Sequence, residues 1–377
     1  MLAQARTLVA LAVALGAPLH AARAATPETV ARDPGARMER LADGVYAIIH
    51  DDATHDFPTG ATEWPHGNTG VVVGDDGVLV VDATYTPSRA RADIALIRAV
   101  TRLPVRYLVN THWHGDHTHG NAAYRQAFPN VVVLGATANR DFIALNQARY
   151  PHNATAPESR QRKALAQLVA LQASGKDSTG RVLTAVERAR LDTVIREHQT
   201  ELQELAAVVV APPTLGFEGT LTLFLGSRRV ELRDEGRANS PHDVTVYLPT
   251  ERVLYTGDVV VHPIPYAWQS HPVPWLDVLR RLESVPVAAL VPGHGPVMHD
   301  QAYTRQVREL LEATTTRVAA AIRQGMSADD VQRTVRLDDL RDRFVNPREP
   351  GSSDAWQSSI QTALVERSWA CLVGYRC

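Results

Sequence analysis

The stretch His112-Trp113-His114-Gly115-Asp116-His117 packs three imidazoles and one carboxylate into six positions. The apolar run Val105-Arg106-Tyr107-Leu108-Val109-Asn110 precedes it and reads as a short buried strand. The cluster therefore starts where a strand ends and a loop begins, the usual place for chemistry in an α/β fold. Imidazole and carboxylate are the ligands that zinc and its neighbours prefer. A lone histidine is usually a satisfied structural residue. A cluster this dense is different, because mutually repelling imidazolium forms are costly unless a cation holds the rings neutral. His119 follows two residues later and carries no assigned role.

Working outward, the chain alternates between strand pairs and helices. Val45–Ile49 reads as a strand. The runs 70–73 and 78–81 flank Gly74-Asp75-Asp76-Gly77, a hairpin with strong turn chemistry, and Asp82 closes the second strand. Pro87–Val100 has helical periodicity and stops before Pro104. A helix over 121–128 and a strand over 131–134 follow. The segment 151–207 is rich in Ala, Leu, Gln, Arg and Glu and reads as an inserted helical hairpin, with helices around 159–173 and 184–205. Strands are expected at 221–225, 229–232, 244–248, 253–256 and 288–291, with a helix over 274–283. Beyond Asp300 the pattern is helical, over 303–323 and again over 328–343. Strands and helices in two sets favour a layered α/β sandwich over a helical bundle.

With 377 residues the chain can bury a large core. A hydrophobic share of 45% beside 21% charged residues fits a globular protein. The formal net charge of -2 and the lack of a basic stripe argue against a nucleic-acid partner. Residues 1–24 read as a signal peptide: Arg6, an apolar run from Leu8 to Leu19 too short to span a bilayer, and the small-x-small site Ala22-Arg23-Ala24. A periplasmic or secreted location follows as an expectation, with no membrane span after cleavage. Cys371 and Cys377 sit far from the histidine cluster and can close a small terminal loop in an oxidising compartment.

Three later loops supply further candidates: Thr256-Gly257-Asp258 and Pro292-Gly293-His294-Gly295, each at a strand end, and Gly236–Asp243 before a strand. With these in place, the chain resembles the metallo-β-lactamase-fold hydrolases. The landmarks Gly67-Asn68-Thr69, Asp82, His112-x-His114-x-Asp116-His117, Thr256-Gly257-Asp258 and Pro292-Gly293-His294-Gly295 run in that family's order. The resemblance implies an αββα four-layer sandwich over residues 25–300, carrying the 151–207 insertion and a C-terminal helical extension over 301–377. It also implies one or two Zn2+ ions, or another divalent metal, between the sheets. Carried over residue by residue, His112 and His114 hold a first metal, Asp116, His117 and His294 a second, and Asp258 bridges both, as in the hydroxyacylglutathione hydrolase branch.

One position departs from the family. The third histidine of the first metal is replaced by Asn239, whose amide oxygen is a poor zinc ligand. His242 is the alternative ligand, if its loop folds back. Asp116 is also expected to orient the nucleophile and shuttle its proton. Asp82 is expected to brace the histidine loop, the alternative being a simple turn residue. His262, Tyr266 and Trp268, in a proline-stiffened aromatic loop, are candidate substrate contacts, with Tyr266 donating to an oxyanion; plain loop packing is the alternative. Trp64, in the polar loop 51–66, is a further candidate contact. The leading expectation is an exported metal-dependent hydrolase of a small-molecule ester, lactone, thioester or amide. The alternatives are a true β-lactamase, which Asp258 and Asn239 disfavour, and a non-catalytic metal-binding protein with a degenerate first site.

Overall fold

The computed structural model describes residues 28–377 apart from 34, 51–54, 57–60, 63–65, 147–148, 178, 349–350 and 376. The signal-peptide reading of 1–24 and the Trp64 contact lie outside the described residues.

Two sheets face one another. The first has strand order β1-β2-β3-β6-β7-β8-β9-β10, with β1 Glu28–Asp33, β2 Ala36–Ala42, β3 Val45–His50, β6 Thr69–Val73, β7 Val78–Val81, β8 Val105–Val109, β9 Val132–Ala136 and β10 Leu215–Phe217. A separate two-stranded ladder joins β4 (His55–Asp56) to β5 (Ala61–Thr62). The second sheet runs in sequence order through β11 (Thr220–Leu225), β12 (Arg228–Gly236), β13 (Asp243–Leu248), β14 (Val253–Tyr255) and β15 (Ala289–Val291).

Strand periodicity explains the layering. Along β3, Val45, Ala47 and Ile49 point into the space between the sheets, while Tyr46 and Ile48 point outward. Along β7, Leu79 and Val81 face in and Val78 and Val80 face out. Both faces are buried, so these strands read as continuous apolar runs rather than alternating ones. The inner core adds Val230, Leu232, Val244, Val246 and Tyr255 from the second sheet. Outside the first sheet lie α1 (Pro87–Val100) and α3 (Asn121–Ala127), packed through Ile94, Ile97 and Tyr124. Thr86 caps α1 by accepting from the Arg89 N–H at 3.3 Å, with Pro87 at its first position.

Outside the second sheet, one apolar cluster joins α8 (Pro272–Glu283), α9 (Ala302–Arg323) and α10 (Ala328–Thr334) to the C-terminal segment. That segment comprises α12 (Ser352–Ala355), a π-helical stretch over Trp356–Leu364 and α13 (Val365–Leu372). The helices beyond residue 300 thus share a core with α8 and form the outer layer of the second sheet. The result is an αββα sandwich, the expected fold.

Several elements differ from expectation. The helix expected over 328–343 breaks after Thr334 and resumes briefly as α11 (Asp338–Arg341). The cause is tertiary: the buried Gln361 side chain donates to the Val335 carbonyl at 2.8 Å and accepts from the Leu337 N–H at 3.1 Å, capturing backbone groups a helix would use. Strands β1, β2 and β10 were not legible, nor was α4 (Thr137–Asn146). The insertion contains α5 (Tyr150–Thr155), α6 (Arg160–Ser174) and α7 (Ala185–Ala206), with its own small core around Leu168, Leu191 and Ile195. Cys371 and Cys377 are joined as a disulfide. Among the described residues, no helix is long and apolar enough to cross a membrane.

Candidate metal centre

Strand β8 delivers the histidine cluster to the seam between the sheets. Past its end, the one-turn helix α2 (Gly115–Thr118) sets Asp116 and His117 side by side. Asp82, just after β7, sits at a positive φ of 64° and aims its carboxylate back under this loop. It accepts from the Thr111 N–H at 2.8 Å, the Thr111 hydroxyl at 2.7 Å and His117 Nδ1 at 2.8 Å. From the second sheet, Asp258 enters on the tight turn Gly257–Val259 after β14, and His294 on the loop after β15.

The second metal position is well formed. His117 Nε2 lies 3.3 Å from His294 Nε2, 3.4 Å from Asp116 Oδ2 and 3.2 Å from Asp258 Oδ1. His294 Nε2 lies 3.1 Å from Asp116 Oδ2 and 3.4 Å from Asp258 Oδ1. Four donors held tetrahedrally at zinc's usual bond lengths are about 3.3–3.4 Å apart. Five of the six edges of that tetrahedron are therefore present. Both Asp258 carboxylate oxygens are buried and lack a hydrogen-bond donor, although the residue is only 1% exposed. A buried carboxylate without donors is costly unless a cation satisfies it. The donor set fits a divalent metal.

The ring nitrogens are sorted for the same purpose. His117 Nδ1 donates to Asp82, leaving Nε2 as the free lone pair. The Thr111 hydroxyl, which donates to Asp82, accepts from His112 Nδ1 at 3.1 Å, so His112 Nε2 faces the centre. The Gln269 side-chain oxygen accepts from His114 Nε2 at 2.8 Å and frees Nδ1, which lies 2.8 Å from His112 Nε2. One carboxylate thus orients a ligand of each metal position. Asp82→Asn is expected to lower metal affinity about 10–100-fold. Competition against a chelator measures this, and an unchanged affinity would reduce Asp82 to a turn residue.

The charges are tightly coupled. Burial opposes ionisation of Asp116 and Asp258, but the adjacent imidazoles outweigh it and hold both carboxyls well below the usual range. Burial likewise opposes a charge on His117, yet Asp116, Asp258 and Asp82 prevail and raise it well above the ordinary imidazole value. His112 goes the other way, pushed well down by burial and by the neighbouring His117. Burial, with Asp258 and Asp116 nearby, pushes the Tyr266 phenol well up.

The first metal position is thinner. It has His112 Nε2 and His114 Nδ1, with Asp258 Oδ2 at 3.6 Å from His112. Neither expected completion supplies a third imidazole. His242 does not fold back: its Nδ1 meets Asp234 at 3.2 Å, and the ring is half-buried along β12. Asn239 is buried, but its Nδ2 donates to the Tyr266 carbonyl. The other loop candidates separate. Tyr266 is buried with its ring 5.2 Å from that of His294, and Trp268, 45% exposed, stacks on it at 5.5 Å. His262 instead stands edge-on to Tyr303 of α9, and its backbone N–H donates to the His294 carbonyl at 3.1 Å.

Sequence reading missed the braces. Asn68 was a landmark without a task; its side chain donates to the Pro292 and Gly295 carbonyls at 3.0 and 2.8 Å, clamping the His294 loop from the first sheet. Beneath it, buried His50 pairs with Asp93 at 3.1 Å and with the Gly67 carbonyl at 2.9 Å. Gly67 in turn packs so close to His117 that a Cβ there would lie 2.5 Å from the ring. Nothing local in the sequence marks these pairs, because the partners are brought together only across strands.

Comparison with known proteins agrees with this geometry. The family model described as "Metallo-beta-lactamase superfamily" matches residues 62–294. A linear primary-alkylsulfatase of Pseudomonas sp. is 22% identical over 286 residues, covering 71% of this chain and 49% of the relative. The chain thus spans about half the length of that curated relative. Among solved structures, the stereoselective inverting sec-alkylsulfatase Pisa1 of Pseudomonas sp. superposes with a TM-score of 0.59 at 16% identity, over 90% of this chain and 50% of that one. A metallo-beta-lactamase of Pontibacter korlensis superposes with a TM-score of 0.51 at 17% identity, over 74% of this chain and 99% of that one. With its family motifs on loops of both sheets and its donors converging on one centre, the chain belongs to the metallo-beta-lactamase superfamily.

Proposed function

We propose that this chain is an exported zinc-dependent hydrolase that cleaves an acyl bond of a small ester, lactone, thioester or amide. The observation that carries the reading is the four-donor shell of Asp116, His117, Asp258 and His294. A divalent cation held there would take a water as a fifth ligand and lower its pKa from 15.7 to about 7, supplying a nucleophile at neutral pH. Asp116 is the one ligand of that shell with solvent access, its side chain 30% exposed. It is placed to orient the incoming water and accept its proton. Asp82 holds His117 in the liganding tautomer, and Tyr266 offers an O–H donor beside His294 for a developing oxyanion. Export rests on the N-terminal pattern of Arg6, Leu8–Leu19 and Ala22-Arg23-Ala24.

A second reading, hydrolysis of an alkyl sulfate ester, is favoured by two named relatives. One is similar in sequence and the other in fold, and the fold similarity covers 90% of the chain against 74% for the lactamase. A substrate panel on the purified mature chain, with zinc counted per chain, tests both. Turnover of a lactone, thioester or carboxylic ester, lost with a chelator and restored by zinc, is the expected result. Turnover of dodecyl sulfate alone would transfer the assignment to sulfate esters, and turnover of a cephalosporin alone to β-lactams. Bound metal with no turnover of any of these would make the chain a metal-binding protein and overturn the hydrolase reading.

A further inference from the structure

We infer that Asn239 stands outside the metal shell and, together with Ser359, acts as a positioning residue that clamps Tyr266 against the centre. The inference rests on the hydrolase reading above and deepens it. Three successive backbone groups are held by two buried side chains. Ser359 donates its hydroxyl to the Pro265 carbonyl at 2.7 Å and accepts from the Ala267 N–H at 2.9 Å, bracketing Tyr266 on both sides. Asn239 donates Nδ2 to the carbonyl of Tyr266 itself. Both residues are essentially inaccessible, Ser359 at 0% and Asn239 at 1% exposure.

The clamp spans the fold. Asn239 comes from the loop before β13. Ser359 comes from the π-helical stretch over Trp356–Leu364 in the outer helical layer. Such π-helical turns often accompany functional sites, because the wider turn re-aims side chains. A carboxamide carries N–H donors and suits a backbone carbonyl, while it is a poor zinc ligand. The clamp therefore gives position 239 a task that a liganding imidazole would not perform. With its backbone fixed, Tyr266 is held with its ring 5.2 Å from His294, and its phenol is a neutral donor at working pH.

The test uses the full mature chain loaded with Co2+, whose visible absorption reports the ligand shell. The variants are Asn239→Ala, Ser359→Ala, Tyr266→Phe, both doubles with Tyr266→Phe, and Arg367→Ala. Arg367 donates to the Ser270 carbonyl of the same loop at 2.8 Å, so it controls for general loosening of that loop. Acetate and sulfate are titrated as anion probes, and Co2+ is counted per chain. Each clamp variant should keep wild-type Co2+ content and absorption. Each should weaken binding of the probe anion by about tenfold or more, the loss of one hydrogen bond to a charged group. The doubles should be no weaker than Tyr266→Phe alone. Loss of Co2+ from Asn239→Ala would show it to be a ligand and overturn the inference. So would additive doubles, an equal effect of Arg367→Ala, or a Tyr266→Phe variant that binds as tightly as wild type. Intact anion binding beside a blank hydrolysis panel would remove the hydrolase reading and leave the clamp standing.

Discussion

Replacing His117 by alanine should empty the second metal position and abolish turnover. This ring is the hub of the centre, within 3.4 Å of Asp116, Asp258 and His294 through Nε2 and within 2.8 Å of Asp82 through Nδ1. Its loss removes one of four candidate ligands and the contact by which Asp82 braces them. The rate on any substrate of the wild type should fall by at least about a thousandfold, because an unactivated water returns toward a pKa of 15.7. Stability should suffer too. Removing one partner of a buried ionic cluster costs about 3–5 kcal/mol, since carboxylates remain buried without compensation. Metal analysis and denaturant unfolding, with and without a chelator, measure both effects. Retained metal with a wild-type rate would refute the assignment of His117.

Gly293→Ala should be nearly as damaging although it removes no functional group. A Cβ at this position would lie 2.0 Å from Asp258 Oδ1, 2.7 Å from the Gly257 carbonyl carbon and 2.9 Å from the Asp258 nitrogen. Two of these three atoms are backbone and cannot swing aside. The Gly293 N–H also donates to the Gly257 and Val260 carbonyls at 2.9 and 3.0 Å, so the two loops are already locked together. The added methyl must push Asp258 and His294 apart, and misplacement of about 1 Å costs on the order of a hundredfold in rate. Metal content should fall in parallel with kcat. An alanine variant with wild-type metal and rate would mean that the two loops approach less closely than described.

The candidate site was legible because ligand-type side chains announce themselves. His112, His114, Asp116 and His117 are four ligand-type side chains in six positions, and no packing argument needs them there. The sheets were legible where both faces are buried, as along Val78–Val81 and Val45–His50, because the apolar runs are continuous. Polar β1 and three-residue β10 gave no such signal, since each is held by its neighbour's ladder rather than by its own pattern. The 328–343 helix was misread for the converse reason: its local pattern is helical, and Gln361 from a distant element breaks it.

His242 and Asn239 mark the boundary most clearly. By residue type the histidine is the better ligand, yet it turns to Asp234, while the asparagine is buried against Tyr266. Residue chemistry by itself determined which loops carry candidate metal donors, because imidazole and carboxylate preferences do not depend on context. Only the tertiary structure decided which of those donors share a centre, which rings are held in the liganding tautomer, and which residue took a structural task instead. Those outcomes depend on angstrom-scale distances between donors up to 178 residues apart in the chain, and local sequence does not encode such distances.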